Sequence, residues 1–162
     1  MGNLVGVGFL LFAIKDRQLK LFTVEELTSK PVILKEAGMV SFPLETYEER
    51  DGSHLQTINR LIYEEMGIPR ERVTVYGVSP NAFHGIHRRE DIIVFYGHGI
   101  FTGDAEGNFC PNDPEVAFAG WKTLKELLEH PKRRVEVEPI LSHFVSSGTY
   151  GVLRNRFSPV AA

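Results

Sequence analysis

Residues Ser53 to Met66 constrain this chain more than any other segment, because they specify a helix from both ends. Ser53 followed three positions later by Gln56 makes a capping-box pattern, in which side chains satisfy the free N–H groups of the first turn. Leu55, Ile58 and Ile62 recur at helical spacing, Gly67 supplies the left-handed residue that closes a helix, and Pro69 discourages its resumption. A helix with one apolar stripe must lay it on another element, and its neighbours are β-prone. Val5 to Ile14 and Leu19 to Val24, divided by the polar residues Lys15 to Gln18, predict an antiparallel hairpin. A third extended stretch is expected from Val32 to Phe42, ended by Pro43, with charged, turn-forming residues from Glu45 to Gly52. Val73 to Val78 and Ile92 to Phe101 read as strands joined by a loop, and the second is apolar at odd and even positions alike, as a strand covered on both faces is. Val116 to Gly120 adds a short strand, and helices follow from Thr123 to His130 and from Pro139 to Ser146. Strands interleaved with amphipathic helices predict an α/β fold, an α/β/α sandwich around a mixed β-sheet.

With 162 residues, 43% of them hydrophobic, one substantial core is the expectation: a single domain over residues 1–153 and a loosely held tail over 154–162. The net charge of -3 argues against a nucleic acid polymer as partner and favours a small molecule; a homodimer is compatible with it. Cys110, the single cysteine, suits a reducing, cytoplasmic setting. The apolar run from Asn3 to Ile14 has no basic leader and is too short to span a bilayer, so it reads as a core strand and no membrane partner is expected.

Glu64 and Glu65 fall in the last turn of the predicted helix, where the negative end of the macrodipole disfavours anions by roughly 0.3–1 kcal/mol each. Arg60 can pair with Glu64 at i, i+4, but such a pair contributes only about 0.2–0.5 kcal/mol on an exposed face. A divalent cation compensates more fully, and magnesium favours one or two carboxylates together with phosphate oxygens. Without a ligand the same residues would be a solvated, polar helix end.

The stretch Arg60, Ile62, Glu64, Glu65, Gly67, Ile68 resembles the second half of the Nudix box, Arg-Glu-aliphatic-x-Glu-Glu-x-Gly-aliphatic. Phe42-Pro43 with Glu48 and Glu49 is similar to the lead-in of that box, and Phe118 to Trp121 followed by Leu124, Glu126, Leu127 and Leu128 is similar to its downstream strand and short helix. The resemblance implies magnesium- or manganese-dependent hydrolysis of a diphosphate bond in a small nucleoside diphosphate-like substrate, with Glu64 and Glu65 as metal ligands and Arg60 orienting them. The chain departs from the pattern at three points. Leu61 stands where the family has a metal-binding glutamate, Leu44-Glu45 replaces a Gly-Gly pair, and Asp51 and Gly52 compete for the place of the upstream glutamate. Leu61 therefore opens an alternative, a catalytically silent Nudix-fold module that binds a nucleotide or another protein.

His84, His87, Arg88 and Arg89 are candidates for substrate binding, since arginine grips phosphate in a fork and histidine titrates near neutrality. His98, in an apolar strand, reads as a core or pocket-wall residue, and Trp121 and Tyr76 as packing before nucleobase stacking. The Lys132-Arg133-Arg134 run and the Glu25-Glu26 pair read as solvated.

Overall fold

The structure, a computed structural model, describes residues 4–78, 83–87 and 90–157; the side chains of residues 4, 83–87 and 90–92 lie outside that description. One mixed sheet organises the chain. Strand β1 (Leu4–Lys15) turns through Asp16 and Arg17, both at positive φ, into β2 (Gln18–Glu26), and the two pair antiparallel as the polar break predicted. Later strands are β3 (Val40–Ser41), β4 (Leu44–Thr46), β5 (Val73–Val78), β6 (Phe83–His87), β7 (Glu90–Phe101) and β8 (Val116–Lys122). The central order is β3-β2-β1-β7-β5, with β4 on β1, β6 on β7 and β8 on β2. The β1–β7 pair, from Leu4↔Ile92 to Phe12↔Ile100, is parallel, and the other named strand pairs are antiparallel.

Alternation along β1 divides the core. Val7, Phe9, Leu11 and Ala13 face one helix, α1 (His54–Leu61), and bury Ile58, Leu61 and Ile62. Leu10 and Phe12 face α2 (Leu124–Leu128), α3 (Val137–Ser146) and α4 (Thr149–Phe157). Both faces are covered, so β1 from Leu4 to Ile14 and β7 from Ile92 to Phe101, His98 apart, carry only aliphatic, aromatic or glycine residues, and the sandwich is the predicted α/β/α arrangement. Gly97 permits the close approach of α1, because a Cβ there would meet the Ile58 side chain at 2.5 Å.

The capping pattern works as expected at its start: the Ser53 hydroxyl accepts from the Gln56 N–H at 3.2 Å. The helix does not stay α to its end. From Ile62 to Met66 it widens into a π turn before Gly67 closes it at φ 63°.

Four expectations are corrected. Val32 to Phe42 is not one strand: Pro31–Ile33 forms a 3-10 turn and Leu34 takes a left-handed conformation (φ 58°), leaving only Val40–Ser41 extended. Glu45, placed among turn residues, is in β4. The segment between β5 and β7 is not all loop, since β6 forms a hairpin with β7. The tail expected from Arg154 is helical as far as Phe157, and buried Leu153 anchors α4 on the core. Among the described residues no helix is long and apolar enough to cross a membrane.

Candidate active site

The π turn presents Glu65 inward. Its side chain is only 5% exposed, and Oε2 accepts the Leu44 N–H at 2.9 Å. That donor is available because β4 pairs with β1 through Val7↔Glu45, which fixes Leu44 and Glu45 beside the helix end. The third approach comes from the loop before β8. Asp113 donates its N–H to the Glu64 carbonyl at 2.8 Å, and Asn112 Nδ2 donates to the Tyr63 carbonyl at 2.8 Å. The loop thus satisfies the Glu64 carbonyl and adds a second donor to the Tyr63 carbonyl, which already accepts the Gly67 N–H, and in doing so carries the Asp113 carboxylate to the site. One carboxylate oxygen each from Glu45, Glu65 and Asp113 lies within 4.8 Å of the others.

Three carboxylates this close repel, and Glu65 and Glu45 are held with raised proton affinity. Burial, then Glu45 and Glu26, pushes the Glu65 carboxyl well above the usual carboxylate range, against the Leu44 N–H and Arg134. Burial raises Glu45 too, with Glu64 and Asp113 adding to it and the Thr46 N–H and Arg60 opposing. All three line a cleft of roughly 90 Å³. Ionised, its five carboxylates (with Glu115 and Glu136) exceed its three cations, Lys30, Lys35 and Arg134, by two charges.

Arg60 is held rather than free. Its Nε and Nη2 donate to the Asp51 carboxylate at 3.1 and 2.9 Å, and Nη2 also donates to the Thr46 carbonyl at 2.8 Å. Asp51 accordingly sits well below the usual carboxylate range, first through Arg60 and further through the Glu48 N–H and the Thr57 hydroxyl, against its own burial. The structure therefore assigns Asp51, not Gly52, as the carboxylate that faces the arginine. Arg60 Nη1 lies 3.5 Å from Glu64, 3.6 Å from Glu45 and 3.8 Å from Glu48. Glu64 is about a third exposed and belongs to this ion pair, not to the carboxylate cluster. Of the predicted helix residues, Arg60 pairs with Glu64, Glu65 joins Glu45 and Asp113 at the cleft, and Leu61 is fully buried in the core.

Arg88 and Arg89 lie outside the described residues, as do the side chains of His84 and His87. His98 is half-buried between Tyr76 and Phe144, and burial lowers its proton affinity. Trp121 packs among Phe22, Phe101, Phe109 and Phe118. Two solvated readings are corrected. Glu26 and Arg134 are buried, Arg134 Nη1 to Glu26 Oε1 at 3.3 Å, with Lys35 Nζ 3.1 Å from Glu26 Oε2 and Arg134 Nη2 3.3 Å from Glu136 Oε1. Glu45 and Asp113 were not legible as candidates, since each arrives from a distant segment, and Leu44-Glu45 stood out only as a departure from the Gly-Gly pair.

Residues 5–144 match the family described as NUDIX domain. No curated protein sequence matches the chain. Among solved structures, the NUDIX domain of Shewanella oneidensis NrtR in complex with ADP ribose is 18% identical, with a TM-score of 0.65 over 86% of this chain and 85% of that one. A Caenorhabditis elegans Ap4A hydrolase binary complex is 11% identical, TM-score 0.61, over 89% and 98%. A bifunctional NMN adenylyltransferase/ADP ribose pyrophosphatase from Francisella tularensis, complexed with AMP and a manganese ion, is 15% identical, TM-score 0.64, over 90% of this chain and 42% of that one.

Proposed function

This chain belongs to the Nudix family, and from that premise we propose that it hydrolyses the diphosphate bond of a small nucleoside diphosphate-like substrate, using magnesium or manganese. The observation that carries the reading is the buried Glu65 carboxylate, which the Leu44 N–H holds at a cleft with two charges' excess of carboxylate. An all-oxygen, anionic donor set suits a hard divalent cation. Once bound, the metal neutralises phosphate charge and acidifies a water for attack on phosphorus. The chain's own residues do the rest. Glu65 provides a fixed carboxylate at the helix end. Arg60, anchored by Asp51 and the Thr46 carbonyl, orients Glu45 at the cleft. His84, His87, Arg88 and Arg89 stand as ligand-binding candidates, the arginines for phosphate. The ADP ribose of the Shewanella domain and the AMP and manganese of the Francisella protein support a nucleotide-like ligand.

A second reading, a silent nucleotide-binding module, rests on Leu61, which is fully buried where a carboxylate would serve chemistry. The two separate in one assay: ADP-ribose, dinucleoside polyphosphates and simple nucleoside diphosphates, each with magnesium or manganese, offered to the parent and to Glu65→Gln. Metal-dependent turnover lost in Glu65→Gln is the expected result. Ligand binding without turnover by any member of the panel would leave the silent module standing instead.

A further inference from the structure

Leu61 removes one carboxylate from the box helix, and Arg60 engages another. Arg60 Nη1 lies 3.5 Å from Glu64 Oε2 and 3.6 Å from Glu45 Oε2, so what separates the two is position: Glu64 is turned toward solvent with 35% of its side chain exposed and lies outside the carboxylate cluster, whereas Glu45 lies within it. Two replacements reach the buried glutamate from outside the helix: Glu45, on the lead-in strand β4, and Asp113, on the loop that clamps the helix end. Each offers an oxygen, and with Glu65 these oxygens lie within 4.8 Å of one another. The Leu44-Glu45 pair that departs from the family's Gly-Gly is thus the source of a carboxylate and not simply the loss of two glycines.

A second observation, independent of the acidic cluster, points to a hydrated ion. Glu136, 3% exposed, lines the same cleft, and its Oε2 is buried with no hydrogen-bond partner; its other oxygen takes Arg134 Nη2. A buried acceptor without a donor is costly, and a donor arriving with a ligand would satisfy it. Magnesium and manganese supply such donors, because they hold several of their waters when bound by few carboxylates. The cleft's excess of two carboxylates over its cations is the charge that a divalent ion neutralises.

Resting on the metal-dependent reading above, we propose that the divalent cation in this chain is held by Glu45, Glu65 and Asp113, with Glu136 accepting from its waters, and that Glu64 is not a ligand. The centre is rebuilt on the loops around the helix instead of on the helix alone.

The test is a titration of the full chain with manganese, followed by the spin-resonance signal of the free ion, which reads binding without any turnover. Glu45→Gln and Asp113→Asn each weaken manganese binding about tenfold or more, while Glu64→Gln stays within about twofold of the parent. Asp113→Asn keeps both the backbone N–H that clamps the Glu64 carbonyl and a side-chain oxygen for the Glu115 N–H, so it preserves the loop. Melting curves without metal establish that each variant is folded, and the manganese-induced rise in Tm gives a second reading of the same affinities. Loss of binding in Glu64→Gln, with Glu45→Gln and Asp113→Asn unchanged, overturns the rebuilt centre and leaves the metal-dependent function in place. A parent that binds no manganese overturns both.

Discussion

Arg60 and Leu61 are adjacent, yet one serves the site and the other serves the core. Leu61 is fully buried beside Ile58 and Ile62, so Leu61→Glu would put a carboxylate in an apolar interior without partners. The expected outcome is a loss of several kcal/mol in chemical denaturation and no gain in manganese affinity, with the new group staying protonated near neutral pH. A stable Leu61→Glu variant that binds metal more tightly would mean that the helix end rotates to expose this position. Asp51 has the opposite character, because its charge is what Arg60 requires. Its folded-state proton affinity is depressed, so the stability it contributes is complete above the unfolded value of about 3.9 and is lost as pH falls below it toward the folded value. Urea midpoints from pH 6 downward should show a fall in the parent that is smaller in Asp51→Asn, which is already weaker at neutral pH by about 1.5–3 kcal/mol for its lost charged hydrogen bonds. Equal slopes with pH in the two proteins would exclude Asp51 as the titrating partner.

At the scale of elements, the site depends on how one helix ends. Gly67 has φ 63°, and a Cβ there would run into the Cys110 carbonyl, so this position needs glycine for conformation and for space. Gly67→Ala should cost more than about 1 kcal/mol and also weaken manganese binding, because pushing the Cys110 loop away moves Asp113 with it. Destabilisation with unchanged metal affinity would separate the loop from the site. The helix itself was legible, since Ser53, the Ile58–Ile62 stripe and Gly67 are local signals that agree. The π turn was not, because it is decided by what Glu65 and Met66 meet once the sheet is in place. Val32, Ile33 and Leu34 misled for a related reason: their side chains favour strands, but Pro31 opens a 3-10 turn and Leu34 goes left-handed to close it. Arg60, Glu64 and Glu65 could be singled out as candidates from their place in the last turn of one helix and from the resemblance to the Nudix box. Glu45 and Asp113 could not, because only β1–β4 pairing and the loop clamp bring them there.

Across the whole molecule, the sheet and the helices that cover it are tied beside the cleft by buried charge. Glu26 ends β2, Lys35 follows the 3-10 turn, and Arg134 and Glu136 lie between α2 and α3, so the Glu26–Arg134–Glu136 chain joins two layers with Lys35 at its edge. Such a network adds little over apolar packing, but breaking it from one side leaves charges buried and unpaired, at about 3–5 kcal/mol. Arg134→Met should therefore be strongly destabilising, since it strands Glu136 and leaves Glu26 with Lys35 alone. Glu26→Gln alone should cost less, because Lys35 keeps Glu115 at 3.6 Å and Arg134 keeps Glu136. Combining the two should cost clearly less than their separate effects added, because removing the Glu26 charge relieves what Arg134→Met leaves exposed to the core. Denaturant unfolding of the parent, both single variants and the pair gives the coupling directly. Additivity within about 0.5 kcal/mol would show that Glu26 and Arg134 act independently, and that the layers are held beside the cleft by apolar packing alone.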